Sequence, residues 1–367
     1  MSSNRRNLAI VVGAVIVLIA VVLLIPRGTS PTGPSASGPS AVPSGSASPT
    51  EQPSGGGAEP SQEPVAIRVG LGYIPSVQFA PFYLAEQAGY YDEAGLNVEF
   101  QNRIDPDLIT LVGQGTIDVG IGDGTSVIPA VSQGIPVRYL ATIYGKFPSI
   151  VFAKASSGID SPDDLAGKKL GTPGRFGSGW VALQAMLQSV GLTPEDLQIV
   201  EYPDFGQGAA VTADQVDAAT GFVNNEPVQL ELSGTPASIL RVDDIVPLPG
   251  PGLIAGVDTL EENPDAIQAF IAATLRAMEE ISDNPEVGLE AAITAVPELG
   301  NDQETQRAIL EATIDTWRGP LQAERGLGAV DRDGWQTSIA FLEDLGLVPN
   351  PITIEDVLRD DLLPAGD

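Results

Sequence analysis

From Val65 onward the chain alternates between two hydrophobic patterns. "AIRVGLGYI" is an apolar, β-branched run that stops at Pro75, as a buried strand does. "FAPFYLAEQAGYYDEAG" spreads its apolar residues at helical spacing and ends at glycine. "LNVEFQN" alternates with period two, and "DPDLITLVGQGT" reads as a helix opened by Asp and closed by Gly. "IDVGIGD" and "IPVRYLATIYG" predict two further strands, with a short helix, "TSVIPAVSQG", between them. Strands alternating with helices imply βαβ units and a mostly parallel sheet.

The pattern then starts again. "SIVFAKA" is a strand, and "SPDDLAGKKLGTPG" holds a short capped helix followed by a buried strand. "SGWVALQAMLQSVG" is a helix, "QIVEYP" a strand, "AAVTADQVDAATGFV" a short helix and strand, and "EPVQLELSG" a helix. "SILRVDDIVPLPGPGLIAGV" is extended, and from about Asn263 the periodicity is helical. Each half contains one turn-to-strand motif with aspartate, at Asp118 and at Asp217. The fold class expected is therefore α/β: two lobes around a cleft, with a helical C-terminal part. Ligands of such sheets sit beyond the carboxyl ends of the strands, and clefts between lobes are common binding sites.

Upstream the pattern changes twice. Leu8–Ile25 is an uncharged apolar run preceded by Arg5 and Arg6. Eighteen residues at helical rise span about 27 Å, close to a bilayer core. Pro26 and Arg27 follow directly, without a small-residue cleavage site, so residues 1–27 are expected to be an uncleaved membrane anchor, a cleaved signal being the alternative. Residues 28–64 are nearly all Ser, Pro, Gly, Thr and Ala and are expected to form a flexible stalk. The expected location is the cell membrane, with the module from residue 65 to 367 outside the cytoplasm.

Composition narrows the chemistry. The chain has no Cys and no His, which excludes disulfides, thiolate or imidazole metal sites and Ser-His-Asp triads; no cofactor or metal is expected. The formal net charge of −30, from 48 acids against 18 bases, excludes nucleic acid as a partner. Carboxylate-only metal sites and carboxylate acid/base pairs, as in a glycosidase, survive this exclusion, with Asp123 and Glu226 the candidates for an acid pair at strand ends.

Several segments together carry a resemblance: "GYIPSVQFAPFYLAEQAGYYDEAGLNVEF", "GQGTIDVGIGDG", "SQGIPVRYLATIY", "SPDDLAGKKLGTPGRFGSGW" and "GFVNNEPVQL". In this order they resemble the NMT1/THI5-like substrate-binding proteins of ABC importers, from Ile67 to roughly Pro320. The pairing of "PSVQFAPFY" with "NNEP" points to the branch that binds the thiamine pyrimidine precursor, with riboflavin binders close by and sulfonate and nitrate binders more distant. The resemblance implies a type II periplasmic-binding-protein fold. The first lobe would take about 65–145 and 247–367, and the second about 146–246. It also implies a monomeric, non-enzymatic receptor that closes on a small heteroaromatic ligand and docks on an ABC permease served by an ATPase. The family includes a fungal enzyme that consumes its own histidine near a cysteine-rich motif; this chain has neither residue type.

A flat ring with donors and acceptors on its edge needs aromatic faces and a few fixed polar groups. Tyr73, Tyr144 and Trp180, at strand ends or helix starts, are stacking candidates, while the helical spacing of Phe82 and Tyr83 suits core packing. Gln78 lies within the first motif. Arg175 and Ser178 belong to the glycine-rich turn "GTPGRFGSGW", where Ser178 either caps the helix or meets the ligand. Asp123 is a cleft acceptor or a helix cap. At "NNEP", Glu226 and Pro227 make a good helix start by themselves. An ionised Glu226 also suits the exocyclic amine of an aminopyrimidine, whereas Asn224 and Asn225 suit the carbonyl–NH–carbonyl edge of a flavin.

Overall fold

The computed structural model describes residues 63–102 and 108–364; the expected anchor, and all but the last two residues of the expected stalk, lie outside them. Among the described residues no helix is long and apolar enough to cross a membrane.

The first sheet contains β1 (Val65–Gly70), β2 (Leu96–Gln101), β3 (Val119–Gly122), β4 (Val137–Thr142) and, from far along the chain, a strand at Gly252–Gly256. The second contains β5 (Ser149–Lys154), β6 (Lys169–Thr172), β7 (Gln198–Glu201), β8 (Ala218–Phe222) and β9 (Ala237–Arg241). With Gly252–Gly256 as β10, the spatial orders are β2-β1-β3-β10-β4 and β7-β6-β8-β5-β9. The two orders are the same pattern. In each, four strands run in one direction and one antiparallel strand lies inside the sheet: β10 between β3 and β4, β5 between β8 and β9. Each antiparallel strand follows a passage from the opposite sheet. The extended stretch 237–256, uniform as a pattern, therefore divides into β9 of one sheet and β10 of the other.

The repeated aspartate motif has a structural explanation. The Arg68 amide donates to Asp118 Oδ2 at 2.7 Å while the Asp118 amide donates to the Arg68 carbonyl at 2.9 Å. In the second sheet the Lys169 amide donates to Asp217 Oδ2 at 2.8 Å, and the Asp217 amide to the Lys169 carbonyl at 2.8 Å. Each carboxylate fastens the entry of one strand, β3 or β8, to its parallel neighbour, β1 or β6. Both therefore lie at the amino ends of the strands, away from the ligand side.

Both sheets are covered on each face. Ile67, Val69, Leu140 and Leu253 pack with the helix Ala80–Gln87 and with Pro264–Asp283. The latter buries Ile267, Phe270, Ile271, Thr274, Leu275, Met278 and Ile281, a single stripe of helical period. Tyr139, Ile254, Trp335 and Ile339 form the opposite face, so the C-terminal helix Arg332–Asp344 covers the first sheet. Phe147, Leu170, Leu183 and Met186 are core of the second sheet. One expected helix is broken: "FAPFYLAEQAGYYDEAG" forms Ala80–Gln87 and a single turn, Tyr90–Glu93, because Gly89 takes φ +76° between them.

The two passages between sheets, 143–148 and 242–251, run side by side. The amides of Ile143 and Tyr144 both donate to the Pro251 carbonyl, at 3.1 and 2.9 Å. A Cβ at Gly250 would collide with the Tyr144 carbonyl oxygen, so close approach requires glycine there.

Candidate ligand cavity between the sheets

Beyond the carboxyl ends of β1, β3, β6 and β8 lies a cavity of about 560 Å³. The first sheet contributes the turn Leu71–Tyr73, Gln78 and Phe79 from the next turn, and Asp123 to Ser126 after β3. The second contributes Thr172, Phe176 to Trp180, Phe205, Gln207, Thr220 to Phe222, Asn225 and Glu226. Tyr144, from the first passage, joins the wall.

Glu226 begins the helix Glu226–Leu232, with Pro227 second. Its Oε2 accepts from the Phe222 amide at 2.9 Å, and Oε1 accepts from Gln207 Nε2 at 3.0 Å. Gly221 and Gly208 leave the room; a Cβ at Gly221 would lie 2.8 Å from Glu226 Oε2. The side chain is half-buried and faces the cavity. Burial pushes its carboxyl above the usual range, against the stabilising N–H groups of Phe222, of Glu226 itself and of Gln207. Its charge reaches the opposite lobe: burial first, then Glu226, push the Tyr73 phenol up to about 12.

Asp123 is both cap and wall. Its Oδ1 accepts from the Ser126 amide at 3.1 Å and from the Thr125 hydroxyl at 2.6 Å, at the start of the helix Gly124–Ser132. Burial raises its carboxyl too, opposed by those donors. Ser178 lines the cavity without capping. The helix Gly177–Ser189 has Phe176 at its cap position with no side-chain hydrogen bond, and Gly177 at φ +68° makes the turn. Trp180 lines the wall from the first turn of that helix. Gln78 also faces the cavity, its Oε1 3.5 Å from the Tyr144 hydroxyl. Burial drives the Tyr144 phenol upward, the Asn224 amide pulling the other way.

Two of the ten candidates are placed elsewhere. Arg175 is exposed and pairs with Glu201, Nε to Oε1 at 3.2 Å, with its guanidinium 5.4 Å from the Trp180 ring centroid. It points along the outer surface because the turn carries Phe176, not Arg175, to the cavity mouth. Asn224 is fully buried behind the wall and donates from Nδ2 to Thr313 Oγ1 at 2.8 Å, joining the end of β8 to the helix Gln303–Trp317. Its neighbour Asn225 does line the cavity and holds Gln229 through Oδ1 at 2.8 Å. Phe82 is core and wall at once, stacked 6.4 Å from Phe270, whereas Tyr83 and Phe147 are core.

Sequence reasoning missed Phe205 and Gln207. Phe205 is a lone aromatic in the turn "DFGQG", where no periodicity exposes it; the signal available was an apolar ring amid turn residues. Among the described residues, the cavity wall carries two carboxylates and no lysine or arginine.

A family model described as NMT1/THI5 like matches residues 76–287, more than half of the chain. This chain belongs to the NMT1/THI5-like family. A relative within reach of that family is the riboflavin-binding protein RibY of Chloroflexus aurantiacus, 33% identical over 325 residues, 87% of this chain and 91% of that one. The formylaminopyrimidine-binding protein of Halalkalibacterium halodurans is 27% identical over 79% of this chain and 88% of its own. A 4-amino-5-hydroxymethyl-2-methylpyrimidine phosphate synthase of Legionella pneumophila is 28% identical over 80% and 91%. Among solved structures, the periplasmic aliphatic sulphonate binding protein SsuA of Escherichia coli superposes with a TM-score of 0.64 at 18% identity, covering 80% of this chain and 97% of that one. The fold is that of the periplasmic binding proteins, as the family resemblance implies.

Proposed function

We propose that this protein is the extracytoplasmic solute-binding receptor of an ABC importer and that it captures an uncharged, flat, multi-ring heteroaromatic compound of the riboflavin class. The observation that carries this is the cavity itself: about 560 Å³, walled by aromatic rings from both lobes and by two carboxylates. That volume suits a drug-sized ligand. The carboxylates of Asp123 and Glu226 repel sulfonate, nitrate or phosphorylated ligands and favour ring-edge donors. The identity with a riboflavin-binding protein supports the same class. On this reading the aminopyrimidine becomes the second candidate, favoured by Glu226, whose carboxylate accepts from an exocyclic amine.

Binding without covalent chemistry is part of the reading. The synthase relatives raise the alternative, but a histidine-consuming reaction has no histidine here to consume. Closure of the lobes over the ligand would create the surface that a permease and its ATPase recognise, and residues 8–25 would hold the receptor at the membrane. A melting screen of the full-length protein against riboflavin, the 4-amino-5-hydroxymethyl pyrimidine, taurine and nitrate tests the class, since a ligand of the folded state raises the melting temperature. A rise with riboflavin supports it; a rise with the pyrimidine alone turns the reading to the second candidate, and a rise confined to taurine or nitrate rejects both.

A further inference from the structure

Phe205 does three things that no other cavity residue combines. Its backbone lies in the left-handed region at φ +60°, a conformation that costs a bulky residue free energy. Its ring lines the cavity from the second lobe. That ring also meets Tyr73 of the first lobe edge-to-face, with centroids 5.3 Å apart and planes at 84°. The conformation is held locally: the Phe205 amide donates to the Tyr202 carbonyl at 3.0 Å, and the Gly206 amide to Asp204 Oδ1 at 3.3 Å. Directly after the turn comes the helix Gln207–Thr212, whose first residue holds Glu226. Backbone strain that places a ring against its partner across a cleft indicates a ligand contact, because folding alone gains little from presenting a half-buried phenylalanine in this way.

We propose that Phe205 is a ligand-contacting, specificity-determining residue: with Tyr73 it forms an aromatic clamp, one ring from each lobe, that closes on the face of the bound heteroaromatic ring. The proposal rests on the heteroaromatic reading of the cavity. It assigns the selection of flat aromatic compounds to a turn residue rather than to the polar "NNEP" junction. Because the clamp spans the lobes, it is complete only when they are closed, so ring recognition and closure become one event. The strain is the counterpart. A glycine at 205 adopts φ +60° freely, whereas an alanine does not.

The test uses riboflavin as probe, followed by its fluorescence, with the wild type, Phe205→Gly, Phe205→Ala and Phe205→Leu. The expected result is a loss of affinity of about tenfold or more in all three, the scale of losing one stacked ring. Unliganded Phe205→Gly should melt above Phe205→Ala, which shows that the affinity loss does not follow stability. The Tyr73→Leu loss should be smaller in the Phe205→Leu background than in the wild type, since the rings act together. Affinity within twofold of wild type in Phe205→Ala overturns the clamp while leaving the receptor reading intact. Absence of riboflavin and pyrimidine binding in the wild type overturns both. A retained tenfold loss that is additive with Tyr73→Leu overturns the paired clamp.

Discussion

Glu226 is held in a state that stores a pH dependence. Burial raises its carboxyl pKa above that of the unfolded chain. The folded protein therefore binds the proton more tightly, and stability falls as pH rises from the unfolded carboxylate range through the raised folded value. Across that window, melting temperature measured against pH should slope downward more steeply in the wild type than in Glu226→Gln, which removes the titration. The ligand adds the opposite trend. If ionised Glu226 accepts a ring-edge donor, affinity weakens on acidification through the same window, and Glu226→Gln flattens that profile too. Glu226→Ala is expected to weaken riboflavin or pyrimidine binding by about 1.5–3 kcal/mol, read by calorimetry. An unchanged affinity would remove Glu226 from the site.

At this scale the sequence was informative where a residue had a motif or a strand end to mark it, and silent elsewhere. The cap role of Asp123 follows from its place before a helical pattern, and the polar crowding at "NNEP" marked a wall segment. Asn224 and Asn225 were indistinguishable as neighbours, because only the turn after β8 decides which amide faces the cavity and which turns inward to Thr313. Phe205 was hidden because its role depends on one backbone dihedral and one partner 132 residues away, neither of which leaves a periodic trace.

Elements carry the geometry that the residues use. The end of β8 and the helix Gln303–Trp317 are joined by the Asn224–Thr313 hydrogen bond, between groups with no access to water. Thr313→Val leaves the buried Asn224 donor unpaired and should cost about 1–3 kcal/mol in urea unfolding. The double variant Asn224→Leu/Thr313→Val should cost less than the sum of the two single changes. An additive result would show that the pair is not coupled. The passages between lobes are equally constrained. Gly250→Ala drives a methyl into the Tyr144 carbonyl, so it should destabilise by about 1–3 kcal/mol and weaken ligand binding, because Tyr144 lines the cavity. The individual strands and helices followed from apolar periodicity, but which sheet a strand joins did not. The inserted antiparallel strands β5 and β10 are placed by chain passages whose turns carry no periodic pattern.

For the whole molecule, two sheets of one topology turn their carboxyl ends toward a shared cavity, the arrangement on which the proposed closure over a ligand rests. The periplasmic-binding-protein fold fits the proposed receptor, which would gain affinity from contacts made by both lobes at once. An acidic surface of this magnitude keeps such a module soluble and disfavours anionic partners. The central claim, that the closed cavity is built for an uncharged, flat, multi-ring ligand, is met most directly by calorimetric titration of the full-length protein with riboflavin. The account predicts saturable one-to-one binding at roughly micromolar affinity or tighter. No heat of binding with riboflavin, together with saturable binding of an alkanesulfonate, would contradict it.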